Sequence, residues 1–140
     1  MAATSLQIAQ VAATAADDKK ATDICVIDLT GKTDVCDYFV ICTGSNNRLV
    51  DAIVDEIREK VSKNFGLSPL SCEGREGLRW VLVDYGAVVV HVFTPEMRDF
   101  YRLARLWGDA PRVELNLEGA IDEAGVEYEA EPSRVDEEEA

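Results

Sequence analysis

Basic residues are scarce in this chain, and histidine is almost absent. Fourteen Lys and Arg stand against 27 Asp and Glu, His91 is the one histidine, and the net charge is −13 at pH 7. Proteins that grip nucleic acid directly neutralise its phosphates with Lys and Arg. No basic run and no interleaving of aromatic with basic residues occurs here. The composition therefore argues against direct, sequence-specific nucleic-acid binding and favours a basic protein partner. Cysteine is also sparse. Cys25, Cys36, Cys42 and Cys72 form no C-x-x-C pair, and His91 is the only histidine that could join them, so a zinc site is not expected. Cys25 and Cys42 sit in apolar runs and read as small buried hydrophobes in a reducing compartment. No apolar run approaches the 18 residues expected of a membrane span. Residues 1–16 contain no Lys or Arg, which fits neither a secretory signal nor an Arg-rich transit peptide. The expected location is the cytoplasm.

The 140 residues fit one domain, with 47% hydrophobic residues to build a core. The charge is unevenly placed. Residues 113–140 hold 11 acids and one Arg, a net −10, and residues 1–112 carry only −3. The expectation is a folded domain over 1–112 and an acidic, partly disordered extension over 113–140, dispensable for folding. Its acids are too dense and its apolar residues too thin to offset the entropy of ordering.

Hydrophobic periodicity gives the order of elements. Residues 5–20 read as a helix capped by Ser5, with Leu6, Ile8, Val11 and the alanines inward. Ile24–Asp28 and Tyr38–Thr43 are strand-like, with Gly31 in the turn between them. A helix over about Arg48–Asn64 places Leu49, Val50, Ile53, Val54, Ile57 and Val61 on one stripe, and Gly66 ends it. Leu70–Glu73 is a short strand. Arg79–Asp84 and Ala87–Phe93 form a hairpin around Tyr85-Gly86. The unbroken apolar run of the second predicts a central strand covered on both faces. Pro95 opens a last helix, about Glu96–Leu106, with Phe100, Leu103, Leu106 and Trp107 inward. The fold class is α/β of the α+β kind, a mixed five-stranded sheet flanked by helices.

Few side chains in the sequence stand in a catalytic pattern. Gly44-Ser45 lies between a strand and a helix, where a phosphate could bind. A nucleotidyltransferase would then need two acids two residues apart for its metal ions. Asp51 and Asp55 stand four apart on a helix and read as surface residues. His91 lies in an apolar strand, and nothing in the sequence supplies it with a nucleophile, although Cys42 could neighbour it across the sheet. Trp107 reads as core. Trp80 follows the charged loop EGREGLR and reads equally as core or as an interface anchor with a polar rim.

The stretch DLTGKTDVCDYFVICTGSNNRLVDAI, residues 28–53, resembles the pattern D-x-x-G-K followed by D-Y-F-V-I-x-T-G of the ribosomal silencing factor (Iojap) family. WVLVDYGAVVVHVFTPEMRDFYRLARLWGDA, residues 80–110, is similar to the rest of the family pattern, with Ala87 and Ala104 where the family usually has Asp and Glu, and with Asn46 in the turn GSNNR where many members have Ser or Thr two places before the Arg. The resemblance covers about Leu6–Ala110. It implies a nucleotidyltransferase-like fold without catalytic acids, no enzyme activity and no cofactor. It also implies binding to the large ribosomal subunit through ribosomal protein fourteen, a steric block on joining of the small subunit, and a homodimer when free. The partner-binding candidates are Trp80 as anchor, Asp84 and Glu73 facing a basic partner, and Tyr85, His91, Arg98 and Tyr101 from the matching motifs. Two other readings stand beside this one: a remnant nucleotidyltransferase using the Gly44-Ser45 turn, and a dimeric adaptor acting through its acidic tail.

Overall fold

The computed structural model describes residues 4–101 and 109–120. The elements follow the expected order: α1 (Ser5–Asp18), β1 (Thr22–Asp28), β2 (Tyr38–Thr43), α2 (Asn47–Phe65), β3 (Ser71–Glu73), β4 (Trp80–Asp84), β5 (Val88–Phe93) and α3 (Pro95–Tyr101). The cap of α1 differs from expectation. Thr4, not Ser5, accepts from the Gln7 amide, and the Gln7 side chain returns the bond to the Thr4 N–H. Ser5 instead donates to Asp37 at 2.7 Å. A side chain three residues before a glutamine closes the box, and Thr4 has that spacing. Beyond Tyr101, the expected last turn of α3, with Leu103, Leu106 and Trp107, lies outside the described residues.

The sheet runs β1-β2-β5-β4-β3. β2 and β5 are parallel, and the other neighbours are antiparallel, so the sheet is mixed. Every residue of β5 is buried, as its apolar run predicts for a central strand. α1 and α2 cover one face. α1 does so with Ile8 and the small residues Ala9, Ala12, Ala13, Ala15 and Ala16. α2 brings Val50, Ile53, Val54, Ile57 and Val61 against Val81, Val83, Val88, Val90 and Val92. Each valine or isoleucine buried in this way contributes about 1.5–3 kcal/mol. The opposite face gathers Cys25, Ile27, Ile41, Val89 and Phe93 with Leu29, Cys36 and Ala110.

The chain does not leave this body at residue 112. Asp28 donates its N–H to the Pro111 carbonyl and Val113 donates to the Val26 carbonyl, so residues 111–113 pair with the outer edge of β1. Val113, Leu115 and Leu117 pack on the helix-side core. Gly119 donates to Asp17 Oδ1 at 2.7 Å, and its carbonyl accepts from Ile24. Residues 111–120 thus form a strap along β1. The periodic spacing of Val113, Leu115 and Leu117 is a strand signal that the surrounding acids obscure. The most acidic stretch, 121–140, lies outside the described residues.

Candidate functional site

Strand alternation and register assemble the site. On β4, Trp80, Leu82 and Asp84 turn to one face, while Val81 and Val83 turn to the helices. β5 aligns Phe93 with Trp80, His91 with Leu82 and Val89 with Asp84. β2 then aligns Phe39 with Val89 and Ile41 with His91, and β3 aligns Glu73 with Leu82. The face opposite α1 and α2 therefore changes from buried residues at β1 and β5, through buried Ile41 and half-buried Phe39 on β2, to half-buried or exposed ones at β4 and β3.

An aromatic shelf occupies its centre. The Trp80 and Phe93 rings stack at 5.2 Å, and Phe39 meets His91 edge-on at 4.7 Å. The Trp80 indole N–H donates to His91 Nδ1 at 3.2 Å. Indole only donates, so Nδ1 is the acceptor and the neutral imidazole carries its proton on Nε2. His91 is 4% exposed, its Nε2 has no hydrogen-bond partner, and burial pushes its pKa down to about 4. The ring is thus a neutral packing element that fixes the indole. Trp80, Leu82 and Phe39 remain half-buried, flanked by Asp84 and by exposed Glu73 and Arg79.

The other candidates divide. Asp84 shares the shelf's face, and its Oδ1 accepts the Gly86 amide at 2.7 Å, which closes the β4–β5 turn. Tyr85 belongs to the opposite, helix-side core, and burial pushes its hydroxyl up to about 12. Arg98 is only 8% exposed and donates to Thr43 Oγ1 at 2.8 Å beneath α3. The Tyr101 side chain lies outside the described residues. Structure thus brings Trp80, His91, Asp84 and Glu73 to one face and separates Tyr85 from them. Phe39 and Leu82 escaped the sequence reading. Their signal was position: Leu82 is two residues from Trp80 on one strand, and Phe39 lies inside an alternating strand.

The possible reaction centres come apart. Ile41, not Cys42, is aligned with His91, and Cys42 belongs to the helix-side core, where burial pushes its thiol up to about 12. A Cys/His pair is therefore not formed. At the Gly44-Ser45 turn, a cleft of about 650 Å³ is lined by Ser45, Asn46, Asn47, Arg48, Thr94 and Glu96. The Leu49 N–H there is already taken by Asn46 Oδ1 at 2.8 Å. Gly44 has a steric reason to be glycine: a Cβ would approach Val50 N and Cγ2 at 3.0 Å. Asp51 and Asp55 both accept from Arg75 rather than facing a metal-sized gap. Among the described residues no group of three His, Cys, Asp or Glu is placed to hold a metal ion.

Fold and site together define an α+β domain whose distinctive side chains form a surface. The ribosomal silencing factor family model, described as acting during starvation, matches residues 2–140. The ribosomal silencing factor of Bacillus subtilis is 47% identical over 110 residues, which cover 79% of this chain and 92% of that protein. A mouse protein named for mitochondrial assembly of the ribosomal large subunit is 35% identical over 92 residues, 64% of this chain and 40% of its own length. A crystal structure from Chromobacterium violaceum superposes with a TM-score of 0.73 at 32% identity, covering 84% of this chain and 96% of that one. The chain belongs to the ribosomal silencing factor family.

Proposed function

We propose that this protein is a non-enzymatic translational repressor of the cytoplasm. It binds the large ribosomal subunit through ribosomal protein fourteen and sterically excludes the small subunit. The observation that carries this reading is the family match across residues 2–140. The large subunit as partner is supported by the name of the mouse relative.

The mechanism needs no chemistry, only two partners competing for one surface. The half-buried shelf of Trp80, Leu82 and Phe39 supplies the apolar anchor. Glu73 and Asp84 beside it suit a basic patch on the partner. Free protein pairs as a homodimer, and the bound form is a repressor by occupancy alone.

The test is subunit joining followed by light scattering and sucrose gradients. Purified protein at saturating concentration is expected to comigrate with large subunits and lower the fraction of joined ribosomes. Unchanged joining at saturation defeats the repressor reading.

A further inference from the structure

The loop between β3 and β4, residues 74–79, is fastened at three places. Arg75 Nη2 donates to Asp51 and, at 3.0 Å, to Asp55, both on α2. Two carboxylates four residues apart on one helix face repel each other, and one guanidinium between them removes that cost. The second fastening is the loop's own turn. Leu78 donates its N–H to the Gly74 carbonyl at 2.9 Å, holds a left-handed φ of +57°, and packs on the helix-side core. Gly74 lies so close to the next strand that a Cβ there would stand 2.1 Å from the Trp80 carbonyl oxygen. The third is at the far end, where the Arg79 carbonyl accepts from Thr94 at 2.9 Å. The chain between the Arg75 contact and the Trp80 backbone is short and offers little slack.

We infer that Arg75, held by Asp51 and Asp55, is a positioning residue for the docking shelf: it ties the loop to α2 and so fixes the backbone from which Trp80 projects. The inference rests on the proposed ribosome-binding role of the shelf. It gives Asp51 and Asp55 a task in recognition although they sit on α2, on the far side of the sheet from Trp80.

The test uses the full chain and two readouts. In the free protein, the indole N–H resonance of Trp80 is assigned by comparison with Trp107→Phe. Arg75→Ala is expected to shift that resonance and to speed its exchange with solvent while the melting temperature changes little. Dissociation from large subunits is expected to quicken about fivefold, the scale of one or two part-exposed ion pairs. Arg75→Lys should recover part of the loss, since it keeps a cation but not the fork. Should Arg75→Ala fold poorly, the surface double variant Asp51→Asn/Asp55→Asn must give the same pair of effects. An unmoved Trp80 resonance overturns the inference, and so does a moved one with wild-type binding. Wild-type protein that fails to bind large subunits defeats the repressor reading instead, which the two arms keep distinct.

Discussion

At the scale of single residues, Trp80 and His91 work as a unit. Trp80→Ala removes the stack on Phe93 and leaves His91 Nδ1 without its donor. Loss of an interface anchor costs about 2 kcal/mol, or roughly thirtyfold in affinity. Because Trp80 is only half-buried, its stability loss should fall below the about 3–5 kcal/mol of a fully buried tryptophan. Chemical denaturation and subunit binding measured on one variant separate the two, and a large stability loss with normal binding would make Trp80 a core residue only. His91 predicts a dependence on pH. Its folded pKa of about 4 lies below the ordinary 6.5. The unfolded chain accepts a proton near pH 6.5 that the folded chain refuses until about pH 4. Stability attributable to this ring is therefore present above 6.5 and declines as pH falls through that window, by up to about 3 kcal/mol. Denaturation at pH 7 and pH 4.5 should show a smaller acid loss for His91→Asn than for the wild type. Equal losses would place the acid sensitivity elsewhere.

At the scale of elements, the strap along β1 carries the clearest expectation. Val113, Leu115 and Leu117 pack on the core, and backbone bonds join the strap to Val26, Asp28 and Ile24. Truncation after Pro111 should cost about 2–4 kcal/mol more than truncation after Ala120, the worth of three half-buried apolar side chains. Gly119→Ala should approach the first result, because its Cβ would stand 2.2 Å from the Ala21 carbonyl oxygen. Urea unfolding of the three variants decides, and equal stability of all three would show that the strap adds nothing. The strap also marks where the sequence was hard to read. Strands such as β5 and helices such as α2 announce themselves through an apolar run or a 3.6-residue stripe, because their own neighbours supply the burial pattern. Val113, Leu115 and Leu117 alternate correctly, yet Glu114 and Glu118 beside them and the acids that follow carry the composition of a tail. The site was legible to a similar degree. Trp80 stood out by its type and setting, but which face it shared with His91, Leu82 and Phe39 depends on a register set by long-range pairing. The Arg75 contacts, 24 and 20 residues away along the chain, left no local mark.

At the scale of the whole molecule, nothing in the described body supplies the metal-binding acids of a nucleotide-transfer site. Millimolar ATP or GTP with magnesium should leave the melting temperature unchanged, since only a ligand of the native state raises it by mass action. A rise of several degrees would reveal a nucleotide site. Charge reversal at exposed Glu73 should weaken ribosome binding more at low salt than at high, because exposed charges are screened over about 10 Å at 0.1 M. The strap has a consequence in time as well as in space. β1 ends at Asp28, but the residues that seal its outer edge, Pro111 to Ala120, follow it by 83 to 92 positions along the chain. At about 5–20 residues per second, a nascent chain waits several seconds between the two. Throughout that interval one edge of an apolar strand, with Ile24, Cys25, Val26 and Ile27 in a row, stands open to pairing with any neighbouring chain. Asp23 and Asp28, on either side of those four residues, are the charges that guard the edge until synthesis catches up.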